Sequence, residues 1–319
     1  MAAQLSCIAY IARPRILATG GDAWRLQSVA ACPSIPGVSL LDAGDGSSFL
    51  VTRAVGTTSK LLVAREMRNL EVIGYDLVAS ALNGLVASGA KPSFFSHTDA
   101  LGDNEREMDE LLSGVTSACI AGNCPINRGS GKKTPRGVLA GMALGEVRKE
   151  LLLDGRGIQD GDWLIGLETQ ALHSQKFGSV LSLAKEHGRL KSVGKAILTL
   201  PRIYVSTVLD LIAKKKIKAA AHFSSAGITD AIAKLLGPRE FGASIRRLGS
   251  WPLPPVLVWI KEAGDLSDEE MLAAFNVGLE MVLVCDSARG YEVLDLVRGA
   301  HHIGSVIAGS GIIIDKLLN

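Results

Sequence analysis

Gly129-Ser130-Gly131-Lys132-Lys133-Thr134 has the residue types of a phosphate-cradling loop: small residues that bare backbone N–H groups, and lysines to meet the charge. The spacing is wrong for a nucleotide-binding P-loop. That loop needs a glycine five residues before Gly131, where Ile126 stands, and Ser or Thr where Lys133 stands. What remains is a basic segment, Asn127 to Gly137, whose Arg128, Lys132, Lys133 and Arg136 suit either solvent or an anionic partner such as RNA phosphates. No aromatic residues are interleaved with them, and no nucleic-acid motif accompanies them. The solvated loop is the simpler reading.

Cysteine and histidine offer little more. Cys7, Cys32, Cys119, Cys124 and Cys285 are odd in number and scattered. The 119/124 spacing is not a zinc-ribbon pair, and no second pair completes a site. They read as free thiols in a reducing compartment. His301-His302 are adjacent on a strand, so they point to opposite faces and read as surface residues.

The chain that must hold these groups is 319 residues with 34 basic and 32 acidic side chains, long enough for two cored domains and nearly neutral at +2. Apolar and charged fractions of 47% and 21% exclude a disordered or acidic-tail protein, and the charge balance gives no global pull toward nucleic acid or membrane. No apolar run reaches the ~18–20 residues needed to span a bilayer.

Strands are expected at Gly46–Val55, Ser93–Ser96, Val138–Val147, Trp163–Leu167, Ala219–Phe223 and Met281–Cys285. Helices are expected at Val72–Gly89, Glu105–Ala121, Val205–Ala213, Ile228–Leu236 and Asp268–Phe275, the last opened by a Ser267 cap. Lys214-Lys215-Lys216 closes one helix as a solvated face. Pro252, Pro254 and Pro255 read as a stiff connector, and Asp160-Gly161-Asp162 as the turn into a second unit beginning near residue 150. Alternating strands and helices in both halves indicate two α/β domains. The first 21 residues hold Arg13 and Arg15 but no acid, a composition compatible with an organelle-targeting presequence.

From Thr52 onward the chain resembles the AIR synthetases, the phosphoribosylformylglycinamidine cyclo-ligases of purine synthesis. The carriers are IGYDLVASALNGLVASGAKPSFF (Ile73 to Phe95), LAGMALGEV (Leu139 to Val147), ALHSQKFGSV (Ala171 to Val180), ILTLPRIYVSTVLDLI (Ile197 to Ile212), AAAHFSSAGITDAI (Ala219 to Ile232), WPLPPVLVWIKEAG (Trp251 to Gly264) and EEMLAAFNVGLEMVLV (Glu269 to Val284). The resemblance implies an α/β (α+β) two-domain fold. Residues 31–149 would form an N-terminal domain that pairs with a twin into a shared β-barrel, and residues 150–319 a C-terminal α/β domain. Residues 1–30 would be a targeting or docking extension. ATP would lie in the cleft, where ATP and Mg²⁺ activate the formyl amide oxygen of FGAM before an internal amine closes the imidazole ring.

Mg²⁺ prefers hard anionic oxygens, and the departures from the family pattern fall on acids. The family's Asp-Gly-Val-Gly-Thr-Lys is Arg53-Ala54-Val55-Gly56-Thr57-Thr58-Ser59-Lys60 here, so its aspartate has become Arg53 or Val55. Val-Asn-Asp is Leu82-Asn83-Gly84, and Phe-Leu-Asp-Tyr is Phe95-Ser96-His97-Thr98. The loop Gly-Gly-Glu-Thr-Ala-Glu-Met-Pro-Gly becomes Arg128 to Arg136, with Ser130 and Lys133 at its glutamates. Lys60, Asp76, Asn83, His173, Ser174, Phe177 and His222 match the family.

Erased acids in a retained core point to a catalytically degenerate homologue with no ATP or Mg²⁺, serving as a structural or accessory subunit among protein partners. A mitochondrial matrix or plastid stroma is the expected location, with the cytoplasm as runner-up. The alternative is a working ATP- and Mg²⁺-dependent cyclo-ligase with relocated ligands, Asp76 and Asp99 being the nearest candidates. A third option is binding of nucleotide or FGAM without turnover.

Overall fold

The computed structural model describes residues 30–31, 37–56, 59–100, 104–128, 138–223, 226–237, 240–246 and 250–314. In chain order its elements are β1 (Ala30–Ala31), β2 (Ser39–Asp42), β3 (Ser48–Gly56), α1 (Lys60–Met67), α2 (Glu71–Val86), β4 (Lys91–Ala100), α3 (Glu105–Ala121), β5 (Ile126–Arg128) and β6 (Val138–Arg148). There follow β7 (Trp163–Glu168), α4 (Phe177–Glu186), α5 (Leu190–Ile197), α6 (Val205–Ala213), β8 (Ala219–His222), α7 (Gly227–Leu236), β9 (Phe241–Ile245), α8 (Pro255–Ala263), α9 (Asp268–Ala274), β10 (Leu279–Cys285), α10 (Gly290–Leu296), β11 (Ala300–Ala308) and β12 (Ile312–Ile314). Two six-stranded sheets result, ordered β1-β2-β3-β6-β4-β5 and β12-β9-β11-β7-β10-β8. All pairings are antiparallel except β4 with β5 and β12 with β9. Among the described residues no helix is long and apolar enough to cross a membrane.

Side-chain periodicity explains which faces are covered. In β3, Phe49, Val51 and Arg53 are buried while Leu50, Thr52 and Ala54 face outward, the alternation of a sheet with one covered face. Helix α2 supplies that cover, with Val72, Ile73, Leu77, Val78, Ala81, Leu82 and Leu85 all buried. In β10 every residue from Leu279 to Cys285 is buried, so the strand is covered on both faces and shows no alternation. Asn104 caps α3 through Glu107 N at 3.4 Å. Ser267 and Glu270 form a reciprocal capping box on α9.

The apolar Leu61–Ala64 lies in helix α1, whose apolar side packs inward with Leu61, Val63 and Ala64 buried. Two local expectations change. Pro255 is not connector but the first residue of α8, where its missing N–H costs nothing. His302 is half-buried rather than on the surface, its ring stacked 3.9 Å from that of Trp163. His301 meets Glu168 at 3.2 Å. Cys119, Cys124 and Cys285 are buried free thiols, and burial pushes them up to about 12, 11 and 12. Cys7 and Cys32 lie outside the described residues.

Helices α2 and α3 cross backbone to backbone at two glycines. A Cβ on Gly114 would lie 1.8 Å from Glu71 O, and one on Gly74 would lie 2.1 Å from Leu111 O. Neither obstacle is a mobile side-chain tip, so the helices themselves must part. Gly114→Ala is expected to lower stability by about 1–3 kcal/mol, as overpacking does. Urea denaturation should show the midpoint falling at unchanged slope.

Candidate active site

A cavity of about 190 Å³ opens between the two halves, lined by the end of β3, by α1 and α2, and by the segment that follows β7. The side chains with chemistry at its wall are Arg53, Lys60, Asp76, His173 and Ser174. Lys60 is the first residue of α1 and is 2% exposed. Its Nζ donates to Asp76 Oδ1 of α2 at 2.7 Å. Ser174 is buried, and its Oγ accepts from Lys176 N at 2.9 Å, turning the chain into α4.

Behind His173 lies a fully buried polar cluster on Glu280 of β10. His173 Nε2 lies 3.2 and 3.1 Å from the two Glu280 oxygens, and His222 Nε2 at the end of β8 lies 3.1 Å from Oε1. Asn83 Nδ2 of α2 donates to the same Oε1 at 3.0 Å and to Arg202 O at 2.8 Å, while Asn83 Oδ1 accepts from Tyr204 N at 2.8 Å. Register explains the meeting: β8 lies beside β10 with His222 opposite Met281, and Asn276 Oδ1 fixes the segment carrying His173 by accepting from His173 N at 2.9 Å. Burial would push the Glu280 carboxyl up, but the two imidazoles hold it well below the ordinary carboxylate range. Burial opposes charge on His173 as well, yet the carboxylate outweighs it and the imidazole sits above its ordinary value. Burial holds His222 below its ordinary value.

The structure brings together all seven matching residues, Lys60, Asp76, Asn83, His173, Ser174, Phe177 and His222. Arg53, Gly84 and His97 converge as well. Arg53 pairs with Ala143 and His97 with Gly141 on β6, so both lie on the sheet face that α2 covers. A Cβ on Gly84 would fall 2.7 Å from Arg53 Nε and 2.9 Å from Cζ. The guanidinium therefore occupies the space a side chain at position 84 would need. Burial pulls its pKa down. Ser130, Lys132, Lys133 and Arg136 lie outside the described residues, as do the side chains of Arg128 and Asp99. Glu280 is the site residue that sequence reasoning missed. Its signal was an acid at the head of the apolar run Met281–Cys285.

Residues 39–147 match the family model of the AIR synthase related protein N-terminal domain, and residues 159–316 match that of its C-terminal domain. The chain belongs to the AIR synthase related family. Relatives in this family include the phosphoribosylformylglycinamidine cyclo-ligase, chloroplastic/mitochondrial, of Vigna unguiculata, 34% identical over 84% of this chain and 73% of the relative. The phosphoribosylformylglycinamidine cyclo-ligase of Carboxydothermus hydrogenoformans is 31% identical over 83% of both chains. A thiamine-monophosphate kinase of Stenotrophomonas maltophilia shares the fold at TM-score 0.66, 18% identity, and 88% and 89% coverage of this chain and that one. A HypE-HypF complex chain matches at TM-score 0.63 and 15% identity, covering 86% of this AIR synthase relative and 89% of that chain. The cyclo-ligase names speak for the enzyme reading, and none of them speaks for an accessory role.

Proposed function

We propose that this AIR synthase relative has lost cyclo-ligase chemistry and serves as a protein subunit of a larger assembly in a mitochondrion or plastid. The observation that carries the reading is the buried Arg53 guanidinium packed against Gly84, with His97 on the same face of the sheet. A magnesium-bound triphosphate does not fit this lining. It needs several carboxylate oxygens, and the carboxylate among the described lining residues is Asp76, with one oxygen on Lys60. Two like charges about 4 Å apart repel by about 4 kcal/mol at an effective dielectric of 20, so Arg53 opposes a metal there. The acid-free first 21 residues and the chloroplastic names of two plant relatives support the organellar location.

The second reading, an active cyclo-ligase converting FGAM to AIR, is favoured by relatives of that name at 31–34% identity over more than four-fifths of the chain. Calorimetry of the full chain with Mg·ATP separates the two. No saturable heat in the micromolar range and no FGAM-dependent ADP release are expected. Micromolar binding together with ADP release would establish the ligase instead.

A further inference from the structure

A second donor set lies one layer behind the cavity wall, chemically unlike the carboxylates that hold Mg²⁺. We propose that His173, His222 and Glu280 form a binding site for a divalent transition metal ion of the zinc class. The site goes beyond the reading above and stands whether or not the chain turns over FGAM.

Three ligand atoms from three separate segments converge, His173 Nε2, His222 Nε2 and a Glu280 oxygen, all within 4.8 Å of one another. All three residues are buried. Zinc binds imidazole nitrogen and carboxylate oxygen at 2.0–2.2 Å, so neighbouring donors around a tetrahedral ion lie about 3.3 Å apart. The separations of 3.2 and 3.1 Å from the two ring nitrogens to Glu280 Oε1 are close to that edge. Two imidazoles and one carboxylate suit zinc, cobalt, nickel or iron, and not magnesium or calcium.

The surroundings are those of a supported site. Asn83 Nδ2 donates to Glu280 Oε1 and keeps the carboxylate oriented, the outer-layer hydrogen bond that metal carboxylates rely on. Asn276 fixes the backbone of His173. His222 Nδ1 is buried with no hydrogen-bond partner among the described residues, so the cluster as it stands leaves a polar atom over. Asp76 and Lys60 act on the His173 imidazole with opposite charge, and His173 and Arg53 both act against charge on His222. His173 also lines the 190 Å³ cavity, which supplies an entry path and room for a fourth, non-protein ligand. Three protein ligands and one open position make a reactive site rather than a closed structural one.

The test is metal titration of the purified, chelator-stripped full-length chain. One Co²⁺ per chain, with the visible absorption of a four- or five-coordinate ion displaced by Zn²⁺, is expected. Glu280→Gln and His173→Gln are each expected to weaken Co²⁺ binding by about a hundredfold or more, at or above the usual effect of losing an outer-layer partner. Circular dichroism and gel filtration establish that each variant is folded. Zinc-edge X-ray absorption of the loaded wild-type chain reads the donors without any variant, and two imidazoles are expected. Absence of stoichiometric Co²⁺ and Zn²⁺ uptake overturns the site. So do sulfur donors, or unchanged affinity in either folded variant.

Discussion

Asp76→Ala is expected to destabilise the protein by about 3 kcal/mol, the lower end of the cost of breaking a buried ion pair, because Asp76 itself keeps some exposure at the cavity wall. The partner left behind is Lys60, 2% exposed, whose ammonium sits 2.7 Å from the deleted carboxylate. Its placement makes matters worse. Lys60 opens α1, no side-chain cap serves that end, and the first turn holds no acid. A cation at a helix N-terminus faces the positive end of the helix dipole, and the Asp76 carboxylate offsets it. Urea denaturation should show a large fall in midpoint at constant slope. The double variant Lys60→Met/Asp76→Leu is expected to return most of the loss, since apolar replacement of a whole buried pair is often neutral or better. A single variant within about 1 kcal/mol of wild type would mean that Lys60 has ample other partners and that the pair is not what holds α1 on α2.

The same pair shows how far the sequence can be read. Lys60, Asp76, Asn83, His173 and His222 are legible because each stands in a stretch that resembles the family and matches its pattern. Helix α3 is legible at both ends because its charged opening, its amphipathic pattern and the Gly122 that closes it are local signals. Arg53 is legible as a departure from the family but not as an occupant. Only the fold shows that its guanidinium takes the space left empty by Gly84, thirty-one positions along and on another element. Glu280 fails for a different reason. An all-buried strand has no alternation against which one acid stands out, and the expected strand began one residue after it. Its partners come from β8, α2 and the segment after β7, a convergence set by strand order rather than by spacing.

Asn83→Ala is expected to uncouple the two halves of the metal-free chain. Asn83 is fully buried in α2, beneath the first sheet, yet all three of its side-chain hydrogen bonds among the described residues go to residues beyond 200, namely Arg202, Tyr204 and Glu280. Deleting the amide strips the buried Tyr204 N–H of its acceptor and Glu280 Oε1 of one donor. Glu280 Oε1 keeps both imidazoles, so the cost is that of the Tyr204 N–H left unpaired, about 1–3 kcal/mol. The location of the loss matters more than its size. The groups that lose a partner belong to the second half, so that half should open at lower denaturant while α2 keeps its packing against β3 and β6. Hydrogen exchange is the measurement. Amides of Tyr204–Ala213 and of β8 should lose protection before those of α3 and β6, as separate cooperative units do. Asn83→Asp should be no rescue, because it sets a second carboxylate against Glu280, and like charges that close cannot share a buried site. Uniform loss of protection across both sheets would show instead that the halves unfold as one unit and that Asn83 is one contact among many.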